Sequence, residues 1–347
     1  AVLEALAKAA RDGQHHQYAP GNGTQNFRHA IAEHAARFYD LTIDPDQGVI
    51  VTNGATEGIF AAILGLVDPG DEVIVFEPCY DSYLPNITMA GAVPVGVPLR
   101  PPEWRWDPEE LRAAFSSRTR ALVLNTPHNP TGRVLTGDEL AQIAALCQEH
   151  DVAVITDEVY EHLVYLPARH IPIATLPGMF ERTVTVSSAG KLFSLTGWKI
   201  GWVTGPASLI AGVMRAHQFI TFSVHHPSQE AIAAALRLPD SYYADFIAMY
   251  TRKRKLLLAA LTAGGWQVSE PEGAYYIMAS FADRFDGTPT EFARQLIERA
   301  GVATIPPETF YLTEHADLSG PYVRLAFCKD DALLEEAGVR LAAKSAG

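Results

Sequence analysis

The chain has 347 residues, of which 48% are hydrophobic and 19% charged, and its formal net charge is −13. That length suits one large domain or two unequal ones, and that composition suits an ordinary globular protein. The acidic balance argues against a general binder of nucleic acid or of an anionic membrane, no run approaches the ~18 uncharged apolar residues of a membrane span, and no signal peptide is visible. The three cysteines, Cys79, Cys147 and Cys328, are scattered and odd in number. They fit reduced thiols in a cytoplasmic protein, and none has metal-site spacing. The sequence starts at Ala1 without a Met and inside a helical pattern, so a preceding N-terminal piece is expected.

From the N-terminus, Phe27, Ala30, Ile31 and Phe38 recur at helical spacing within 24–39. Short β-branched runs follow at 48–52, 72–76, 120–124, 151–156 and 182–187, each bounded by turn residues, as buried parallel strands tend to be. Thr136 with Glu139 three residues on forms a capping box ahead of a helix over 137–149. Strand and helix in alternation predict an α/β fold with a mostly parallel sheet covered by helices. After about residue 240 the texture changes. The basic helical stretch "RKRKLLLAALTAGG" leads into the alternating "WQVSEPEGAYYIMASF", then a helix near 290–300 and the strand "YVRLAFC" at 322–328. The reading is an N-terminal segment over 1–22, a large domain over 23–240 and a smaller α+β domain over 241–347. No internal repeat or low-complexity linker interrupts it.

In an open α/β sheet, ligands bind beyond the carboxyl ends of the strands, so the residues just after each strand carry the functional signal. They are "NGATEG" (53–58), "EPCYDSY" (77–83), "NTPHNPTG" (125–132), "DEVY" (157–160) and "SAGK" (188–191). Together they read as a pocket for one flat, phosphorylated, electron-poor ring. Gly54, Ala55 and Thr56 let backbone N–H groups approach an anion at a helix start, although the loop alone is equally compatible with a turn that binds nothing. Asp157 at a buried strand end must be paired or shift its pKa; a heteroaromatic N–H⁺ would pair it, and so would a helix cap or an ordinary ion pair. Tyr160 lies on the same side if a helical turn follows. Lys191, in an apolar stretch with no nearby acid, suits Schiff-base chemistry, the alternative being a lysine whose head reaches solvent.

With these residues in place, the sequence resembles the fold-type I, pyridoxal-phosphate-dependent aminotransferases of class I and II over essentially its whole length. The likeness rests on "NGATEG", "EPCYDSY", "NTPHNPTG", "TDEVYEHLVY", "SSAGKLFSLTGWKIGW", "PEGAYY" and "VRLAFC". Through "HHQYAPGNG", "NTPHNP" and "HQFITFSVHHPSQ" it looks most like the methionine/kynurenine-type branch. The resemblance implies an aspartate-aminotransferase-like large domain with a smaller domain beside it. It implies that Lys191 holds pyridoxal 5'-phosphate covalently and then shuttles a proton, and that Asp157 pairs with the ring N–H⁺. Asn129 and Tyr160 would bond the ring's phenolic oxygen and Tyr80 would stack on the ring. Gly54, Ala55, Thr56, Ser188 and Lys199 would hold the phosphate, joined by Tyr18 of a partner subunit. Arg324, with Asn129 beside it, would clamp the substrate α-carboxylate, and His225 of the partner would line the substrate pocket.

The implied activity is transamination between an L-amino acid (methionine, aromatic or kynurenine-like) and a 2-oxo acid, the cofactor alternating with pyridoxamine phosphate. The implied enzyme is a homodimer with shared sites and no metal, engaging neither nucleic acid nor membrane. In the family, a glycine-containing strand ahead of the position matching Ala1 lines the substrate pocket. Many relatives carry arginine where Lys199 stands, lysine being usual in this branch. Three rivals differ. An acyl-enzyme reading of Ser188-Ala-Gly-Lys191 needs S-D-N and K-T-G, which the chain lacks. An effector-sensing transcription regulator needs a fused DNA-binding module. A C–S β-lyase, or a dual transaminase/lyase, would use the same Lys191 and Asp157.

Overall fold

The computed structural model describes residues 2–342; Ala1 of the expected N-terminal segment and 343–347 of the expected small domain lie outside the described residues. In chain order the first elements are α1 (Val2–Arg11), α2 (Gln25–Tyr39), β1 (Val49–Thr52), α3 (Gly54–Leu66), β2 (Glu72–Glu77), α4 (Tyr83–Met89), β3 (Val93–Pro98), α5 (Pro108–Ala113), β4 (Thr119–Asn125), α6 (Gly137–Glu149) and β5 (Ala153–Asp157). Then come β6 (Thr183–Ser188), α7 (Ala189–Leu192), β7 (Gly201–Thr204), α8 (Ala207–Ile220), α9 (His226–Leu236) and α10 (Asp240–Ala263). The chain closes with β8 (Gln267–Ser269), β9 (Tyr276–Ser280), α11 (Pro289–Ala300), β10 (Tyr322–Ala326) and α12 (Asp331–Ala342).

Seven strands form one sheet in the order β1-β7-β6-β5-β4-β2-β3. Only β7 runs against its neighbours. Helices cover both faces, so β1, β2 and β7 are buried at every position, as apolar strands in a parallel sheet must be. The edge strand β3 went unforeseen. β3 is "VPVGVP", with its first four residues at least partly exposed, at the sheet edge. Two prolines and a glycine break the β-branched pattern, and an edge strand tolerates them because it has one free side. The capping signals behave as expected. The Thr24 side chain accepts from Phe27 N–H at the start of α2, and Thr136 and Glu139 form the capping box of α6.

The C-terminal elements build a separate three-stranded antiparallel sheet, β10-β9-β8, beside α10, α11 and α12. A single apolar core links the two parts: Phe27, Ile31 and Trp202 belong to the same buried cluster as Tyr275, Phe281, Phe292 and Val323. α1 packs on α9. Among the described residues no helix is long and apolar enough to cross a membrane.

Candidate active site

The strand registers decide which side chains meet at the carboxyl edge of the large sheet. Asn125 at the end of β4 pairs with Asp157 at the end of β5. The Asn125 side chain donates to the Asp157 carbonyl at 2.8 Å and accepts from the Asn129 N–H at 2.8 Å, so one amide sets both the carboxylate's strand and the following loop. The Asp157 side chain is buried and accepts from the Tyr83 hydroxyl at 2.8 Å and the Val159 N–H at 3.3 Å. Burial raises its pKa from 3.8 to about 6, outweighing those two bonds and the field of Lys191. A buried carboxylate held this close to neutrality suits a ligand that brings its own cationic N–H.

A second row of register partners, Thr52, Gly201 and Ser188, aligns the end of β1, the start of β7 and the end of β6. Gly201 is required there: a Cβ on it would lie 2.5 Å from the Gly54 carbonyl carbon and 2.7 Å from the Ala55 nitrogen. The first turn of α3 therefore rests directly on β7, and Gly54 itself takes a left-handed φ of 72°. The Asn53 side chain does not cap α3, which leaves the first-turn N–H groups available to an anion. Lys199, also left-handed at φ 53°, reaches over this turn and donates to Thr56 Oγ1 at 3.3 Å.

Lys191 sits in α7, immediately after β6. Its Nζ donates to the Tyr275 hydroxyl at 2.9 Å. Burial lowers its pKa, opposed chiefly by the Asp157 charge. Opposite stands Arg324 of β10, whose Nη1 donates to Asn129 Oδ1 at 2.6 Å while its guanidinium lies 4.4 Å from the Tyr276 ring centroid and 5.0 Å from that of Phe310. Tyr160 shares a 3.0 Å hydroxyl contact with Tyr276. Both phenols are buried, which raises their pKa values and keeps them neutral. Tyr80 lines the same cavity, its ring edge-on to Tyr83 at 5.6 Å.

One cavity thus collects Gly54, Ala55, Thr56, Tyr80, Asn129, Asp157, Tyr160, Ser188, Lys191 and Lys199, with Arg324 at hydrogen-bond distance from Asn129. Among the described residues, none of Lys191, Lys199 and Arg324 forms an ion pair with a carboxylate. The donor set fits pyridoxal phosphate: a carboxylate for the ring nitrogen, an amine for the aldehyde, and an uncapped helix start with a lysine and a serine for the phosphate. Tyr18 and His225 lie elsewhere. Both are exposed, and with His15, His16 and His226 they line a separate surface groove. The Tyr18 ring meets Phe222 edge-on at 5.4 Å, and His225 Nδ1 is 2.7 Å from Ser228 Oγ.

Several site residues were not singled out from sequence. Tyr83 and Asn125 lie inside "EPCYDSY" and "NTPHNPTG", where position after a strand flags the segment but not the member that faces Asp157. Tyr276, from β9, and Gly201 likewise lie inside "PEGAYY" and "SSAGKLFSLTGWKIGW", but nothing local in those segments assigns their role. Glu77 ends β2 with a fully buried carboxylate that accepts from His315 Nδ1 at 2.6 Å and from the Leu312 N–H. It ties the loop carrying Phe310, and hence the ring against Arg324, to the large sheet.

Comparisons with known proteins agree with this geometry. The family described as aminotransferase class I and II matches residues 1–341. The chain is 46% identical to the probable N-succinyldiaminopimelate aminotransferase DapC of Mycobacterium tuberculosis, over 97% of this chain and 87% of that protein. It is 38% identical to the kynurenine–oxoglutarate transaminase of Dictyostelium discoideum, over 97% and 85%. It is also 38% identical to the methionine aminotransferase of Escherichia coli K12, over 98% and 87%. The solved structure of N-succinyldiaminopimelate aminotransferase from Mycobacterium tuberculosis superposes with a TM-score of 0.95 at 46% identity, covering 99% of this chain and 89% of that one. The chain therefore belongs to the class I and II aminotransferases: it is a fold-type I, pyridoxal 5'-phosphate-dependent enzyme that moves an amino group between an amino acid and a 2-oxo acid.

Proposed function

We propose that the amino donor is an L-amino acid with a large uncharged side chain, of the methionine, aromatic or kynurenine type. The observation that carries this reading is the make-up of the cavity: among the described residues its lining contains no cation beyond Lys191 and Lys199, while Tyr80, Tyr160 and Tyr276 supply aromatic walls. Arg324 binds the α-carboxylate, and its contact with Asn129 Oδ1 fixes the angle of approach. Among the described residues lining the cavity there is no further cation for a distal carboxylate.

The residues divide the work as follows. Bound pyridoxal phosphate supplies the electron sink that lets a proton leave the substrate Cα. Asp157, held by Tyr83 and Val159, pairs with the ring N–H⁺. Lys191 would bind the aldehyde and, once displaced by the donor, would accept the proton from the substrate Cα and deliver it to C4′ of the cofactor. Tyr160 and Asn129 orient the ring's phenolic oxygen, Tyr80 packs on the ring face, and Gly54, Ala55, Thr56, Ser188 and Lys199 hold the phosphate. Tyr18 and His225 act across a homodimer interface. That assignment rests on their exposure, with the Tyr18 ring against Phe222, which is exposed as well. The three cysteines are free, in keeping with a cytoplasmic enzyme.

The test has two arms. Borohydride reduction of the holoenzyme followed by peptide mapping is expected to find the cofactor on Lys191; label on another lysine overturns the site. A donor panel of methionine, phenylalanine, kynurenine, cystathionine and N-succinyldiaminopimelate, scored for 2-oxo acid against pyruvate plus thiol, is expected to favour the first three as transamination donors. Preference for N-succinyldiaminopimelate, or release of pyruvate and thiol, would refute the donor class.

A further inference from the structure

Among the described residues Lys191 Nζ has one side-chain hydrogen-bond partner, and it comes from the C-terminal part of the chain. The Tyr275 hydroxyl lies 2.9 Å from Lys191 Nζ although the two residues are 84 positions apart. Tyr275 is 7% exposed, just ahead of β9. Its ring is clamped on three sides: stacked on Tyr250 at 6.0 Å and 23°, edge-on to Tyr160 at 5.2 Å, and inclined to Tyr276 at 4.8 Å. Ala274 before it adopts a left-handed φ of 55°, and its carbonyl accepts from the Tyr165 hydroxyl at 2.7 Å. The phenol is thus delivered to the lysine by a ring that has little freedom to move.

We propose that Tyr275 is the positioning residue for Lys191: its hydroxyl docks the lysine amine whenever that amine is not bonded to the cofactor, and so aims it for proton transfer. This rests on the assignment of Lys191 as the cofactor-binding base. The physical argument begins with lysine's stem, which has four rotatable carbons and loses considerable entropy when held still. A free amine in a half-buried pocket would otherwise sample rotamers that point away from the reacting carbon, and a single directional bond narrows that set. Burial raises the phenol's pKa strongly, so it remains a neutral group throughout. As a neutral oxygen it accepts from an ammonium and donates to a free amine, which lets it follow Lys191 through both protonation states without taking the proton itself. Tyr160 is engaged with Tyr276 instead, at 3.0 Å, and so is not the lysine's dock in this arrangement.

The test is Tyr275→Phe, which removes the hydroxyl and keeps the ring. Cofactor content and the melting temperature are expected to match the parent, because the ring packing survives. The apo-protein is then mixed with pyridoxal phosphate across a pH series and the rate of capture is followed by visible absorbance. Loss of an acceptor for the ammonium is expected to move the midpoint of that profile down by about half a unit to one unit. In the holoenzyme, kcat is expected to fall about 10- to 100-fold with KM within about threefold, and the isotope effect on an α-deuterated donor to rise. A purely structural role would leave the midpoint and the isotope effect alone, so parental values of both overturn the proposal. If the Phe variant does not fold, 3-fluorotyrosine at 275, a weaker acceptor of the same shape, is expected to shift the midpoint in the same direction, and no shift overturns the proposal. Borohydride label away from Lys191 refutes the cofactor assignment; label on Lys191 with parental kinetics refutes only the role of Tyr275.

Discussion

Asp157→Asn offers a test in which stability and function move in opposite directions. Burial raises the Asp157 pKa from 3.8 to about 6 in the cofactor-free protein. For an acid whose pKa is raised by folding, the favourable contribution is complete below the unfolded value and is lost as pH climbs through the folded one. The cofactor-free protein therefore gives up about 3 kcal/mol by pH 8, where the buried carboxylate is ionised without its cation. Asparagine has the same shape, can still accept from the Tyr83 hydroxyl, and carries no charge to desolvate. Urea unfolding of the two apo-proteins at pH 4 and pH 8 is expected to show the variant gaining on the parent by about 2 kcal/mol across that interval. Adding pyridoxal phosphate reverses the ranking, because only the parent gains an ion pair with the ring nitrogen. Turnover of the variant is expected to drop at least ~100-fold, as removing one partner of a buried charge pair costs about 3–5 kcal/mol. A stability gap that does not change with pH would refute the desolvation argument, and near-parental turnover would refute the pairing.

Two further expectations concern the ends of the cavity. Arg324→Ala should lower kcat/KM for every α-amino acid by a similar factor, on the order of 100-fold or more, because the arginine reads the group all donors share; a loss confined to one donor, seen in steady-state kinetics, would mean that it reads the side chain instead. Gly201→Ala should weaken cofactor affinity measured by equilibrium dialysis while leaving most of the fold intact, since its Cβ would sit 2.5 Å from the Gly54 carbonyl carbon and push the first turn of α3 out of place; unchanged affinity would show that the turn is free to shift.

The elements were legible wherever a local rule was strong. α6 occupies the stretch marked by its capping box, and the five β-branched runs became strands with ends displaced by one or two residues. β3 was hidden because its prolines and glycine are acceptable only at a sheet edge, and edge position is a property of the assembled sheet. α10 begins at Asp240, ahead of the basic stretch that announced it, since its first half has no comparably clear pattern.

The sequence by itself determined which residue types follow each strand, and through them the chemistry: a carboxylate, an amine, a small-residue loop and a lysine for one phosphorylated ring. Side-chain type and position after a strand are local properties, and a parallel sheet carries them to one edge regardless of how the rest packs. Tertiary structure alone decided what sets those groups. Tyr83 reaches Asp157 across 74 residues and Tyr275 reaches Lys191 across 84. Gly201 matters because the register of β7 presses it against Gly54. These contacts depend on strand order, register and the docking of the second sheet, so no local pattern encodes them; the same assembly buries Asp157, which raises its proton affinity, and positions the amine.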